Sequence, residues 1–205
     1  MRRTLLWISA IVMIVTFTAC NAPNGAEEHS RNYIKALLDS TYKQENEKYI
    51  ELTGADKETA QANNIVCVDN TTVHFSEKYE LYLNQEQMDR MDSVFREIYL
   101  NSNYKVNKTR KTENGYLINV EYFSIDSIQK LESEIKSICQ GAGKERNVIG
   151  AEYINDIIDL CEQNIENLEF KEKSQLEVDI IVTEKGEYLL NLELLQTLDD
   201  LVVLI

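Results

Sequence analysis

Proline is nearly missing from this sequence: Pro23 is the only one in 205 residues, and glycine occurs seven times. So little glycine leaves small scope for loop-borne machinery. There is no glycine-rich loop to cradle a phosphate, no Gly-x-Ser-x-Gly elbow and no His-Glu-x-x-His pair. The run of alternating Asp and Asn before Gly that builds a calcium loop is also missing. Histidine is confined to His29 and His74. Neither stands in a set of metal ligands, since His74 and Glu77, three apart, lack the further ligands a zinc site needs. No metal site, cofactor site or catalytic residue is therefore expected. Low-complexity tracts and strong repeats are missing too, and 43 % hydrophobic residues argue for a packed core over disorder.

Positive charge is the next scarcity. Lys and Arg number 21 against 35 Asp and Glu, a formal charge of −14. Without residues 1–19, which hold Arg2 and Arg3, 19 basic residues face 35 acidic ones, a charge of −16. Such a domain repels phosphate backbones and anionic head groups, which disfavours nucleic acid as a partner. Two readings stay open. The charge is a solvated surface, or it attracts a basic protein or peptide or loosely held cations, within a screening length of about 10 Å.

The amino-terminal residues are the most informative. Arg2 and Arg3 precede an uncharged run, Thr4 to Ala19, of 16 residues. As a helix it would reach roughly 24 Å, short of the ~30 Å hydrocarbon core. Basic, apolar, small and then polar residues follow the order of an export signal. Phe17-Thr18-Ala19-Cys20 resembles the lipobox of bacterial lipoproteins, in which Leu usually stands where Phe17 is. That resemblance implies alkylation of the Cys20 thiol with diacylglycerol and cleavage before it. Residues 1–19 are then a signal peptide, and 20–30 the lipidated cysteine and a tether of Asn, Pro, Gly, Glu and Ser. Residues 31–205 form one acidic domain at the extracytoplasmic face of the cell membrane. An uncleaved anchor and plain secretion are the alternatives. Two acyl chains make a stable anchor, where one binds only marginally.

About 175 residues then suffice for one domain with a real core. Ser30 is a candidate helix cap, and Tyr33, Ile34, Leu37, Leu38 and Tyr42 share one helical face. A short helix over Asn46 to Thr53 stops at Gly54. Asp56 caps a third helix, which is expected to break or bend at Asp69 to Val73. A fourth runs from Gln85 to Asn101. Alternation of period two on either side of Asn114-Gly115 predicts a hairpin. Helical spacing returns at Ile125 to Ile138 and at Ile149 to Ile165. A second hairpin turns at 184–186 and a closing helix ends the chain. The two hairpins share a Thr-Glu-x-Gly turn, so a duplicated helix–hairpin unit and coincidence are both open. The expected architecture is α+β, an antiparallel sheet of about four strands covered on one face by helices.

Residues 32–60, NYIKALLDSTYKQENEKYIELTGADKETA, and the later Tyr104-Lys105-Val106 resemble small lipoproteins of Gram-positive bacteria that carry a domain of unknown function. That resemblance implies the lipoprotein class and a final strand–turn–strand–helix, and it supplies no catalytic residues. Cys67, Cys139 and Cys161 fall at apolar helical positions, where a free thiol acts as a small hydrophobe. Pairing of Cys139 with Cys161 would need a Cα separation under ~7 Å across helical positions about 18 Å apart. Pairs such as Glu132 with Glu134 or Asp199 with Asp200 carry little information in so acidic a chain. The eleven tyrosines, among them Tyr42, Tyr49, Tyr79, Tyr82, Tyr99 and Tyr104, either line a groove or pack at the edge of the core. Together these features predict a non-enzymatic binding or interaction module of the cell envelope. A small-ligand or peptide carrier with a cavity between sheet and helices is the first alternative, and a hydrolase the second.

Overall fold

The computed structural model describes residues 25–183 and 188–205. The expected signal peptide, Cys20 and the turn at 184–186 lie outside the described residues. Helix α1 (Ala26–Lys43) begins earlier than apolar spacing indicates. Its first turn holds Glu27 and Glu28, whose charge suits the positive end of the helix dipole. Ser30 is buried inside the helix and returns its hydroxyl to the Ala26 carbonyl at 2.8 Å, so it does not cap. Residues 26–30, assigned to the tether on composition, are thus helical. The expected apolar face is the buried one: Tyr33, Ile34, Leu37, Leu38 and Tyr42 are all in the core.

Helix α2 (Glu47–Thr53) ends at Gly54, which is left-handed at φ 69° and donates its N–H to the Ile50 carbonyl. Asp56 caps α3 (Lys57–Tyr79) by accepting from the Thr59 N–H at 2.7 Å. The expected break at Asp69 to Val73 does not occur, because α3 is continuous through it. Thr71 and Thr72 are buried and their hydroxyls are used, Thr71 against the Cys67 carbonyl and Tyr99, Thr72 toward Asp92. Tertiary hydrogen bonds thus outweigh the weak helix propensity of the pair. Helix α4 (Gln85–Leu100) opens with a capping box between Asn84 and Gln87.

Strands β1 (Asn103–Lys111), β2 (Gly115–Ile125), β3 (Phe170–Val182) and β4 (Tyr188–Leu190) form one antiparallel sheet in the order β1-β2-β3-β4. Ile118, Val120, Tyr122, Val178, Ile180 and Leu190 bury one face. The other presents Asn119, Glu121, Lys173 and Gln175, joined by hydrogen bonds. Gly115 serves close approach, since a Cβ there would stand 1.9 Å from the Ile180 carbonyl oxygen. Neither it nor Asn114 has positive φ, so the Asn-Gly pair does not make the mirror-image turn such pairs usually make.

Ile125, read as the start of a helix, is the last residue of β2. The following helical stretch is split into α5 (Ser127–Lys130) and α6 (Glu132–Gly141). A 3-10 turn over Gly143–Asn147 leads to α7 (Glu152–Asn164). Ile149 therefore lies outside α7, 72 % exposed, while Tyr153, Ile154, Ile157 and Cys161 are buried. Helix α8 (Leu192–Val202) closes the core with Leu198 and Val202. Beyond it Val203 bridges Ile125 in parallel, and the Leu204 N–H meets the Ile125 carbonyl at 2.9 Å. The fold is α+β as expected. Among the described residues no helix is long and apolar enough to cross a membrane.

Candidate functional site

Four elements converge on Asp199 of α8. From α1 the Tyr42 hydroxyl donates to the Asp199 carboxylate at 2.6 Å. From α4 the Tyr99 ring stacks on Tyr42, with centroids 5.2 Å apart and planes 6° from parallel. Its hydroxyl pairs with Thr71 of α3 at 2.9 Å and reaches the Asp199 backbone carbonyl at 3.4 Å. Tyr104 of β1 meets the Tyr42 ring edge-on, and its own hydroxyl donates to Asp39 at 2.7 Å. The Cys67 thiol of α3 faces the same carboxyl.

Burial raises the Asp199 carboxyl to about 7, and Asp200 adds to the rise. Hydrogen bonds from Tyr42 and Cys67 oppose the rise without cancelling it. Burial likewise holds the Tyr42 and Tyr99 hydroxyls well above their ordinary range, with the Asp199 charge adding to both. The result is a nearly closed polar knot that can hold one proton near neutral pH. A carboxyl raised that far is a feature of catalytic acids. Asp199 lines neither of the two clefts described below, so no substrate path to it is formed by them.

Most of the tyrosines pack instead of lining a groove. Tyr42, Tyr49, Tyr79 and Tyr99 are buried, and among the described tyrosine side chains Tyr82, at 48 % exposure, is the one left in solvent. All three described cysteines are buried free thiols. Burial pushes Cys161 up to about 12, and raises Cys67 and Cys139 as well, so none has the low value of a nucleophile. Cys67 and His74 share α3 but part company. Cys67 is in the core, whereas His74 is more than half exposed with Nδ1 3.5 Å from Asp200. Glu132 is claimed by Lys78 and Lys136. No group of three or more His, Cys, Asp or Glu side chains among the described residues is placed to hold a metal ion.

The clefts lie along the α6–α7 pair, each of about 490 Å³. Glu134, Asp156 and Asp159 line one, over Ile138 and Leu160. Glu145, Glu152 and Asp156 line the other. Sequence reasoning missed both features. The Asp199 knot joins residues as far as 157 apart, and nothing local marks it. The cleft acids were hidden among 35 acidic residues, although their spacing of three and four along α7 was a readable signal.

These elements define an α+β protein built on an antiparallel meander with a helical cover on one face. No family model and no curated protein matches the sequence. Among solved structures the chain is similar to the candidate lipoprotein ycdA of Bacillus subtilis, with a TM-score of 0.63 at 12 % identity. The match covers 88 % of this chain and 57 % of that one, so the likeness is one of fold over a little more than half of the larger protein.

Proposed function

We propose that this chain is a lipoprotein held at the extracytoplasmic face of the membrane through Cys20, and that its acidic domain binds a partner instead of catalysing a reaction. The observation that carries the anchor is the Phe17-Thr18-Ala19-Cys20 segment after a 16-residue uncharged run behind two arginines. Fold likeness to a candidate lipoprotein supports it. Two acyl chains on Cys20 would keep the domain at the bilayer, each buried methylene adding about 0.8 kcal/mol.

The binding role rests on the α6–α7 clefts. Carboxylates of Glu134, Asp156 and Asp159 above an Ile138 and Leu160 floor suit a basic segment with an apolar side chain. The clefts sit between helices, not between sheet and helices where the carrier reading puts its cavity.

The anchor is tested in cells fed labelled fatty acid. The parent chain is expected to take up label and sediment with membranes, and Cys20→Ala to lose both. Undiminished labelling of the variant overturns the anchor. The binding role is tested separately, by retention of basic peptides on the parent chain and on Asp156→Lys. Equal retention removes the clefts from the account.

A further inference from the structure

The two outer edges of the sheet are built differently. Strand β1 carries Lys105, Lys108, Arg110 and Lys111, and its pairing to β2 shifts register between Val106 and Thr109. Like charges and an irregularity are the usual means of keeping an edge from pairing. Strand β3 has neither along most of its length. Its partner β4 spans three residues and covers only Ile180, Ile181 and Val182. From Phe170 to Asp179 no described strand lies against the β3 edge, and Phe170 to Gln175 are all exposed.

The backbone polarity of that edge is fixed by its neighbours. The Val182 N–H points to the β2 side, where it meets the Asn114 carbonyl at 2.8 Å. Alternation along an antiparallel strand then turns the N–H and C=O groups of Asp179, Glu177, Gln175 and Lys173 outward from the edge. The side chains of these residues stand on the solvent face, since Ser174, Leu176 and Val178 pair with the inward Tyr122, Val120 and Ile118. On that face the order is Lys173, Gln175, Glu177, Asp179, and the alternation stops at the register shift that takes in Lys171 and Glu172. Lys171 stands beside a register shift opposite Ile125 and reaches Gln129, and Lys173 bonds Glu121 within the sheet.

We propose that the β3 edge is a homodimerisation surface, on which a second copy of this chain pairs antiparallel about a two-fold axis through Gln175. That register sets Lys173 opposite the partner's Glu177, twice by symmetry. Lys173 and Glu177 both meet opposite charge, and these pairs lie on one face with Gln175 and turn their backbone groups to the other strand. Moving the axis to Lys173 or Glu177 would put like charges face to face. Odd registers would oppose solvent-face to core-face residues. Pairing β3 with the basic β1 of another copy would be head to tail and would build a ring or a filament in place of a two-fold dimer. About ten residues a side is less than a standard interface, so the dimer is concentration-dependent.

The pairing does not depend on the lipid anchor and is tested on the full chain with and without Cys20→Ala. Gln175→Cys places two thiols at the axis, where opposed Cα atoms of a hydrogen-bonded pair stand ~5.5 Å apart, within disulfide reach. A mild oxidant is expected to give a covalent dimer of this variant, and none of the parent chain or of Ser93→Cys on α4. Lys173→Glu and Glu177→Lys are each expected to weaken dimerisation about tenfold or more by sedimentation. The double variant, with its charges exchanged, is expected to recover it, which a misfolded chain could not do. A chain that stays monomeric, a dimer indifferent to both single variants, or a double variant no better than either overturns the proposal. If residues 1–24 or a foreign peptide occupy the edge, the first of these results follows.

Discussion

Asp199 shows how one side chain can set a pH dependence for the molecule. Its carboxyl titrates at about 7 when folded and near 3.8 when free, because burial disfavours the charge. A raised folded value means the folded state holds its proton more tightly. The stabilisation is full below about pH 4 and is lost as pH rises through about 7. Asp199→Asn keeps an acceptor for the Tyr42 hydroxyl and removes the charge. It is expected to raise stability at pH 8 by about 1–2 kcal/mol and to leave pH 4 nearly unchanged. Denaturant melts at the two pH values check this, and an equal effect at both would refute it. Composition could not have shown Asp199 to be special beside Asp200. The two differ by one step around α8, which turns one carboxylate to Tyr42 and the other toward His74.

At the scale of elements, Asn84 ties together two helices distant in sequence. Its side chain accepts from the Gln87 N–H at 2.9 Å and lies against Gly150, which is left-handed at φ 70°. Gln87 in turn is buried and donates to the Ala151 carbonyl and Asn155 at the start of α7. Asn84→Ala is expected to cost about 1–2 kcal/mol, the loss of a cap and of packing. Gln85→Ala, one residue on and exposed, is expected to change stability by about 0.5 kcal/mol or less. Chemical denaturation of the two variants measures the difference. Helices α1 and α4 were legible because Tyr33 to Tyr42 and Met91 to Tyr99 keep a helical period, and the sheet because Tyr116 to Tyr122 alternate. Helix α3 was legible only in part. Its Asn70-Thr71-Thr72 reads as a break, and the Tyr99 and Asp92 partners that hold it helical come from another element. The start of α1 was missed because residues 26–30 carry acids instead of an apolar stripe, and the α6–α7 clefts because the spacing of Glu152, Asp156 and Asp159 was lost among 35 acidic residues.

For the whole molecule, the excess of acid sets a cost that packing must offset. A formal charge of −14 on 205 residues repels itself in the compact state. Few of the ion pairs relieve it strongly. Arg90 with Asp159 and Glu162, at 2.6 and 2.7 Å, is the best formed, and exposed pairs of this kind add about 0–1 kcal/mol. Raising ionic strength from about 0.01 to about 0.15 M shortens the screening length from ~30 to ~8 Å. The melting temperature is expected to rise by about 2–5 °C over that range. A fall would mean that attractive pairs, not repulsion, dominate the surface. The Tyr42 hydroxyl waits longest for its partner, since Asp199 comes 157 residues later. At a synthesis rate of about 5–20 residues per second, that interval is roughly 8–30 s. For most of it α1 is outside the ribosome while the helix that shuts over it does not yet exist. Any chaperone that meets the chain in that interval therefore finds an open, unsealed core, and the Tyr42–Tyr99 stack is closed only once Asp199 is made.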